Sequence, residues 1–155
     1  LYNVYFIGCL RNCDITTNQN LVDKYKVLMG KVLSGHLGET NEEGQVKVIA
    51  TLQVASPKEV STDSYLVIGE FYSRIQANNL MLYLRTRFLR FLLLQSLVSM
   101  NISRNNFRFV PLQNFTDKSD IDWEKSVPEI DQQLYAKYNL TKEEIAFIES
   151  MIKPM

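Results

Sequence analysis

Histidine and cysteine are scarce in this chain, which restricts the chemistry it can perform. Its 155 residues include one histidine and two cysteines. A structural zinc site takes about four ligands, and His36 lies in a glycine-rich loop far along the chain from Cys9 and Cys13. We therefore expect two free thiols in a reduced, cytosolic protein and no metal site. A serine or cysteine nucleophile would have only His36 as its base, with no obvious group to orient the imidazole.

Phosphate-binding loops and membrane segments are also missing from the sequence. Gly30, Gly35 and Gly38 lack the spacing of a phosphate loop. The apolar run FLRFLLLQSLVSM is interrupted by Arg90 and Gln95, and it is shorter than the roughly 20 residues that span a bilayer. The first residues, LYNVYFIGCL, have no basic region of the kind that opens a signal peptide. These absences favour a cytoplasmic protein with no membrane partner, whose chemistry is recognition rather than catalysis.

Four segments of the amino-terminal half have the apolar and β-branched composition of strands. They lie at residues 4–8, 21–32, 45–56 and 64–71. The continuous apolar run of the last segment is typical of a central strand that is buried on both faces. In the second segment, Tyr25, Val27 and Met29 alternate with Lys24, Lys26 and Leu28. This alternation predicts a half-buried strand with a partly basic solvent face, with Lys31 near its end.

From Ser73 the apolar period becomes that of a helix. Ser73 has the residue type of an N-cap, and residues 75–100 carry apolar side chains on nearly all sides, so we predict one long helix packed within a larger body. Beyond it, FRFVPLQNF is predicted to be extended around Pro111. The tail from Asp117 reads as two short helices, the second with the capping-box pair Thr141 and Glu144.

These elements predict an α+β fold. A mixed or antiparallel sheet from the amino-terminal half packs on the long central helix, and the carboxy-terminal helices form an appendage. We expect two parts: residues 1–116 as the recognition domain and residues 117–155 as a helical extension packed on it. The chain begins with Leu, and we expect it to be a piece of a longer protein.

Arginine is the only charged residue type between Glu70 and Asp117. This window holds no acid and no lysine but six arginines, at positions 74, 85, 87, 90, 104 and 108. One interpretation is a surface for a phosphate backbone, with arginine and asparagine also able to read base edges. The other is structural: the arginines pair with the acidic tail, or their stems cover the apolar helix. Arg90, between Leu89 and Phe91, is the arginine most expected to be structural.

Several segments, taken in order, resemble one protein family. These are LVDKYKVLMGK, SYLVIGEF, NNLMLYLRTRFLRFLL, FRFVPLQNF and DWEKSVPEIDQQLYAKYNLTKEEIAFIESMIKPM. The series is similar to the carboxy-terminal part of bacterial restriction–modification proteins of the adenine-specific DNA methyltransferase type, including type II enzymes that fuse methylase and restriction endonuclease. The resemblance covers nearly the whole chain from about residue 21. This chain has Glu70 where the family pattern carries proline, and the loop at residues 34–44 is poorly matched.

The resemblance implies a DNA target-recognition region without a catalytic centre. The Asn-Pro-Pro-Tyr motif of the methylase and the Glu-x-Lys pattern of a nuclease are both absent, so this piece is expected not to be an enzyme. The implied partners are double-stranded DNA and the catalytic domain of the parent enzyme. The cofactors are those of the parent, S-adenosylmethionine and, as a candidate, magnesium. The candidate DNA-binding residues are Lys24, Lys26, Lys31, His36, Asn41, Arg85, Arg87, Arg104, Asn105, Asn106 and Arg108.

A second hypothesis belongs to a different functional class. The piece could be an interaction or scaffolding domain whose apolar helix and amphipathic tail dock onto the catalytic part or a second subunit. An enzyme in its own right is the weakest reading, because the sequence contains no catalytic constellation.

Overall fold

A computed structural model of the chain describes residues 18–32, 40–99 and 101–155. The strand predicted at residues 4–8 and the candidate DNA-binding residue His36 lie outside the described residues. The described part contains both a sheet and helices, which confirms the predicted α+β fold. Within it, no helix is long and apolar enough to cross a membrane.

Within the described residues, the sheet has three antiparallel strands, β1 (Tyr25–Gly30), β2 (Leu52–Ala55) and β3 (Tyr65–Phe71), in the order β2-β1-β3. Val27 of β1 pairs with Val54 on one side and with Gly69 on the other. The predicted placement of β3 at the centre of the sheet is therefore wrong. Among the described strands, β1 occupies the centre and β3 lies at an edge, with most of its residues only half-buried.

Strand β1 is buried on both faces, which corrects the prediction of a basic solvent face. Val27 and Met29 point into the main core, whereas Leu28 packs with Ala55 and Tyr65 in a smaller cluster. Lys26 is only 4% exposed. On the face that was expected to meet water, the Lys26 ammonium meets the carbonyl oxygens of Leu21 before β1 and Ser56 after β2.

Two helices replace the single long helix that the sequence predicted. Helix α1 spans Arg74–Arg85 and helix α2 spans Arg87–Gln95. Thr86 separates them with an extended backbone conformation, φ −62° and ψ 148°. Its Oγ1 donates to the Tyr83 carbonyl oxygen at 2.6 Å and accepts from the Leu89 N–H at 3.3 Å. A hydroxyl that bonds the local backbone in this way stabilises a break and caps the next helix.

The segment after α2 is more compact than predicted. Residues Arg104–Phe109 form a 3₁₀ helix, and the extended conformation begins only at Val110, before Pro111. A short bridge between Val32 and Asn101 ties this region to the end of β1, and the Ile102 N–H donates to the Lys31 carbonyl oxygen at 2.7 Å.

The tail forms the two predicted helices, α3 (Val127–Lys137) and α4 (Lys142–Met151). Both begin with a capping box, Ser126 with Glu129 and Thr141 with Glu144, and the second confirms its prediction. Buried side chains of the tail belong to the same hydrophobic cluster as those of β1 and α1; they are Ile121, Trp123, Ile130, Leu134, Tyr135, Ile148 and Ile152. The carboxy-terminal helices thus complete the core that the sheet begins.

Candidate nucleic-acid interface

The three lysines around β1 are held by neighbouring groups. Lys24 Nζ lies 3.0 Å from Glu70 Oε1 and 5.3 Å from the centre of the Tyr72 ring. Lys31 Nζ lies 2.6 Å from Asp63 Oδ1. Both side chains keep part of their surface in solvent, so a phosphate could compete with these carboxylates. Their predicted DNA contact stays a prediction.

Lys26, in contrast, is buried and bonded to the backbone. Its Nζ donates to the carbonyl oxygens of Leu21 at 2.9 Å, Lys24 at 2.9 Å and Ser56 at 3.4 Å. Burial lowers the pKa of this ammonium, while the nearby charges of Glu59 and Asp23 oppose that shift. A buried ammonium with three carbonyl partners cannot reach a phosphate in this conformation, so we leave Lys26 out of the candidate interface.

Asn41 has a local role in the turn after the undescribed part of the loop. Its Oδ1 accepts from the N–H of Glu43 at 3.1 Å and from that of Gln45 at 2.7 Å. This is the arrangement by which asparagine stabilises tight turns. The side-chain oxygen of Asn41 is thereby occupied, which leaves less of the side chain free to read a base.

The helix arginines differ sharply in their surroundings. Arg90 is 1% exposed, and its Nε donates to the carbonyl oxygens of Arg85 and Thr86, both at 3.1 Å. Its Nη1 donates to the Lys153 carbonyl oxygen at 2.6 Å. Burial lowers the pKa of Arg90 to about 10, although the charge of Asp131 opposes the shift. The prediction that Arg90 serves the fold is confirmed.

Arg87 and Arg85 lie on either side of the helix break. Arg87 Nη1 lies 3.7 Å from Glu149 Oε1 of α4, which is the pairing with the acidic tail that the structural interpretation predicted. Arg85 is half-buried, and among the described residues its guanidinium has no recorded hydrogen bond or ion pair. DNA contact by these two arginines stays a prediction, and Arg87 would have to leave its carboxylate partner to make it.

Asn106 anchors the 3₁₀ helix to the end of α2. Its Nδ2 donates to the Ser96 carbonyl oxygen at 2.8 Å, and its Oδ1 accepts from the Ser103 N–H at 2.8 Å. Only 9% of Asn106 is exposed. Its side chain therefore positions the segment and is not available to read base edges, so Asn106 also leaves the candidate interface.

Around this anchor, the 3₁₀ helix displays its charged and polar side chains to solvent. Arg104, Asn105 and Arg108 are all exposed. Side chains three residues apart eclipse one another in a 3₁₀ helix, so Asn105 and Arg108 share one side. The Arg108 guanidinium lies over the Phe109 ring, 4.6 Å from its centre. Across the described residues, neither Arg104 nor Arg108 has an acidic partner.

Chain connections bring these arginines near the end of β1. The Val32–Asn101 bridge and the hydrogen bond between Ile102 and Lys31 lie just before the 3₁₀ helix. These links bring the segment that holds Arg104, Asn105 and Arg108 next to Lys31 at the end of β1. We call the exposed set Arg104, Asn105 and Arg108 the 3₁₀ arginine cluster.

No family model, curated protein or solved structure matches this chain. The arginine cluster is therefore interpreted from its own geometry and from the sequence resemblance described above. In the part of the chain that the structure describes, no group of three histidine, cysteine, aspartate or glutamate residues could hold a metal ion.

Two residues that support the site were not singled out in the sequence. Thr86 ends α1, and Asp131 of α3 accepts from the backbone N–H groups of Arg87 at 2.9 Å and Phe88 at 3.0 Å. A threonine three residues before Leu89 is a cap signal that could have located the break. The contact with Asp131 spans more than forty residues of sequence, so no local pattern could have revealed it.

Proposed function

We propose that this chain is the DNA target-recognition domain of a bacterial restriction–modification enzyme. The observation that carries the proposal is the 3₁₀ arginine cluster, in which two guanidinium groups without an acidic partner among the described residues and an exposed amide project from a well-anchored turn. Arginine without an acidic partner is suited to binding a phosphate, and asparagine to hydrogen bonding with adenine. The family resemblance supplies the biological setting.

In this proposal, the domain positions duplex DNA for chemistry performed elsewhere in the parent protein. Arg104 and Arg108 hold phosphates, Asn105 reaches a base edge, and Lys31 with Lys24 adds phosphate contacts. The domain itself is not an enzyme. The parent methylase would use S-adenosylmethionine, and magnesium if it also carries the nuclease, in the cytoplasm of a bacterium. A target adenine would be flipped out of the helix toward the methylase.

The test is a selection from a pool of random-sequence duplexes, followed by affinity measurements at several salt concentrations. We expect an enriched sequence motif and a steep salt dependence. Arg104→Ala plus Arg108→Ala should reduce the magnitude of the salt slope by about 0.9 for each phosphate contact that is lost. Lys118→Ala plus Lys142→Ala is the matched control, since it removes the same charge from the exposed surface of the tail. The proposal would be overturned if both double variants reduced the salt slope equally, or if the selection enriched no sequence motif.

A second candidate function is docking onto the catalytic part of the parent. Exposed apolar side chains on the helices favour it, notably Ile75 of α1 at 70% and Phe147 of α4 at 54%. Phe147→Ser should then weaken binding of the catalytic part without changing affinity for DNA, as measured by titration calorimetry with the separately expressed methylase part.

A further inference from the structure

A cleft of about 730 Å³ runs along the outer edge of β3. One wall consists of residues 67–71 of β3, and the other consists of residues 110–116. A pocket on the face of a sheet would be lined by alternate residues of a strand, because successive side chains point to opposite faces. Five consecutive lining residues therefore place this cleft beside the strand edge, between β3 and the segment that follows the 3₁₀ helix.

Within residues 18–32, 40–99 and 101–155, the outer edge of β3 has hydrogen-bonding groups without a partner. Of the described strands, only β1 pairs with β3, and no hydrogen bond joins the backbone of residues 66–71 to any other described segment. An exposed edge of this kind is a template for a further strand. Five residues of extended chain are roughly 17 Å long, so the available edge suits a short peptide segment.

The floor and rim of the cleft are apolar. Leu80, Tyr83, Leu84 and Leu89 line its floor. At the rim stands Leu112, which also lines the cleft and is 90% exposed. An apolar floor beside a strand edge provides pockets for alternate side chains of an added strand, which is how strand addition gains specificity.

The charged residues that line the cleft indicate which charge a bound segment would carry. Of the charged residues that line the cleft, Glu70 is paired with Lys24 at 3.0 Å, whereas Arg104 has no partner among the described residues. Arg104 lies three residues before Phe107, so both share one side of the 3₁₀ helix, and both line the cleft. Asn105 and Arg108 are on another side and do not line it.

We propose that this cleft binds an extended segment of a second polypeptide, which pairs with β3 as an additional strand. Its alternate side chains are apolar and enter the cleft, and an acidic side chain meets Arg104. The peptide site shares Arg104 with the proposed phosphate contacts but includes neither Asn105 nor Arg108, and pairing with the edge of β3 does not depend on the proposed DNA recognition.

The experiment is a selection of random short peptides, displayed on phage, against the whole chain. Enriched peptides should alternate apolar residues and contain aspartate or glutamate. Their synthetic forms should lose roughly tenfold in affinity for Leu112→Gln, the effect of removing one well-buried apolar contact, and for Arg104→Ala. The matched controls are Val98→Gln, at a residue that is also 90% exposed but outside the cleft, and Arg108→Ala; both should bind as the unchanged chain does.

A separate experiment tests whether the peptide pairs with β3 through its backbone. Methylation of alternate peptide nitrogens should abolish binding in one register and leave it unchanged in the other, because only alternate N–H groups of an added strand face β3. Circular dichroism confirms that each protein variant is folded, and Leu112→Gln should leave DNA affinity unchanged.

Four results would overturn the proposal. The first is a selection that enriches no peptide, and the second is enriched peptides that bind Leu112→Gln as tightly as the unchanged chain. The third is displacement of the peptide by a single-stranded oligonucleotide whose own binding requires Leu112. The fourth is self-association of the chain that Leu112→Gln abolishes. The third result would assign the cleft to nucleic acid, and the fourth would assign it to a second copy.

Discussion

Arginines from one short stretch of sequence have different roles because each guanidinium meets a different environment. Arg90 is enclosed and donates to three carbonyl oxygens, Arg87 faces a carboxylate of α4, and Arg104 and Arg108 remain in solvent. Burying a charge is costly unless its hydrogen bonds are provided inside the protein. A charge that remains exposed and unpaired retains its capacity to bind a ligand.

Replacement of Arg90 is expected to destabilise the fold. Arg90→Met keeps much of the apolar stem and the backbone N–H that donates to the Thr86 carbonyl oxygen, but it removes the guanidinium donor from the carbonyl oxygens of Arg85 and Lys153. The free energy of unfolding should therefore fall by about 3 kcal/mol. Urea denaturation measures the change. Arg85→Met is the control, since Arg85 is half-buried and its side chain has no recorded partner in the described structure. A loss below about 0.5 kcal/mol for Arg90→Met would show that its hydrogen bonds contribute little net stability.

The junction between α1 and α2 is the element whose geometry depends most on distant sequence. Thr86 provides one cap from within the segment, and Asp131 provides two acceptors from α3. Together they satisfy three N–H groups at the start of α2, which would otherwise lack partners. Helix α2, in its new direction, is followed directly by Ser96, whose carbonyl oxygen accepts from the side chain of Asn106. The break therefore determines where the 3₁₀ arginine cluster stands.

The Asp131 carboxyl should make stability depend on pH. Burial raises the pKa of Asp131 above its ordinary value of 3.8, although hydrogen bonds from Phe88 and Arg87 oppose the shift. The folded protein then binds this proton more tightly than the unfolded chain, so the stability contributed by Asp131 falls as pH rises from 3.8 through the raised pKa.

The measurement compares the unchanged chain with Asp131→Asn, which cannot titrate. The difference in free energy of unfolding, unchanged chain minus variant, should decrease through that pH window and become constant above it. An increase over the same window would mean that the hydrogen bonds outweigh burial and that the folded pKa lies below 3.8.

At the scale of the whole molecule, the sheet and the tail share one hydrophobic core. Ile130 and Leu134 of α3 are in the same cluster as Val27 of β1 and Leu84 of α1. Trp123 and Phe115 add an aromatic contact, with ring centres 5.4 Å apart, where the tail begins. Elements that bury their apolar surface on each other are expected to unfold together.

A cavity at Ile130 tests this cooperativity. Ile130→Ala should lower the free energy of unfolding by about 3 kcal/mol, and hydrogen exchange should show the same loss of protection in the amides of β1 and α3. Val98→Ala, at an exposed position, should change neither. If α3 lost protection while β1 kept it, the tail would be an independent unit, in agreement with a boundary near residue 117.

Local sequence predicted the features that depend on local interactions. The strands β1 and β3, the helices α3 and α4 and the capping box of Thr141 all follow from residue type and spacing within a few positions. The separation of Arg90 from Arg104 and Arg108 was also predictable, because Arg90 has apolar neighbours whereas the other two follow the helix in a polar, asparagine-rich segment.

Tertiary structure alone decided which strand is central, that Lys26 is buried, where the long helix breaks, and that Asn106 faces inward. Each depends on groups far apart in sequence: Ser56 near Lys26, and Asp131 at the start of α2. The cleft beside β3 has the same origin, since its two walls are residues 67–71 and 110–116. Burial and hydrogen bonding depend on which distant segments meet, and the local periodicity of a sequence does not contain that information.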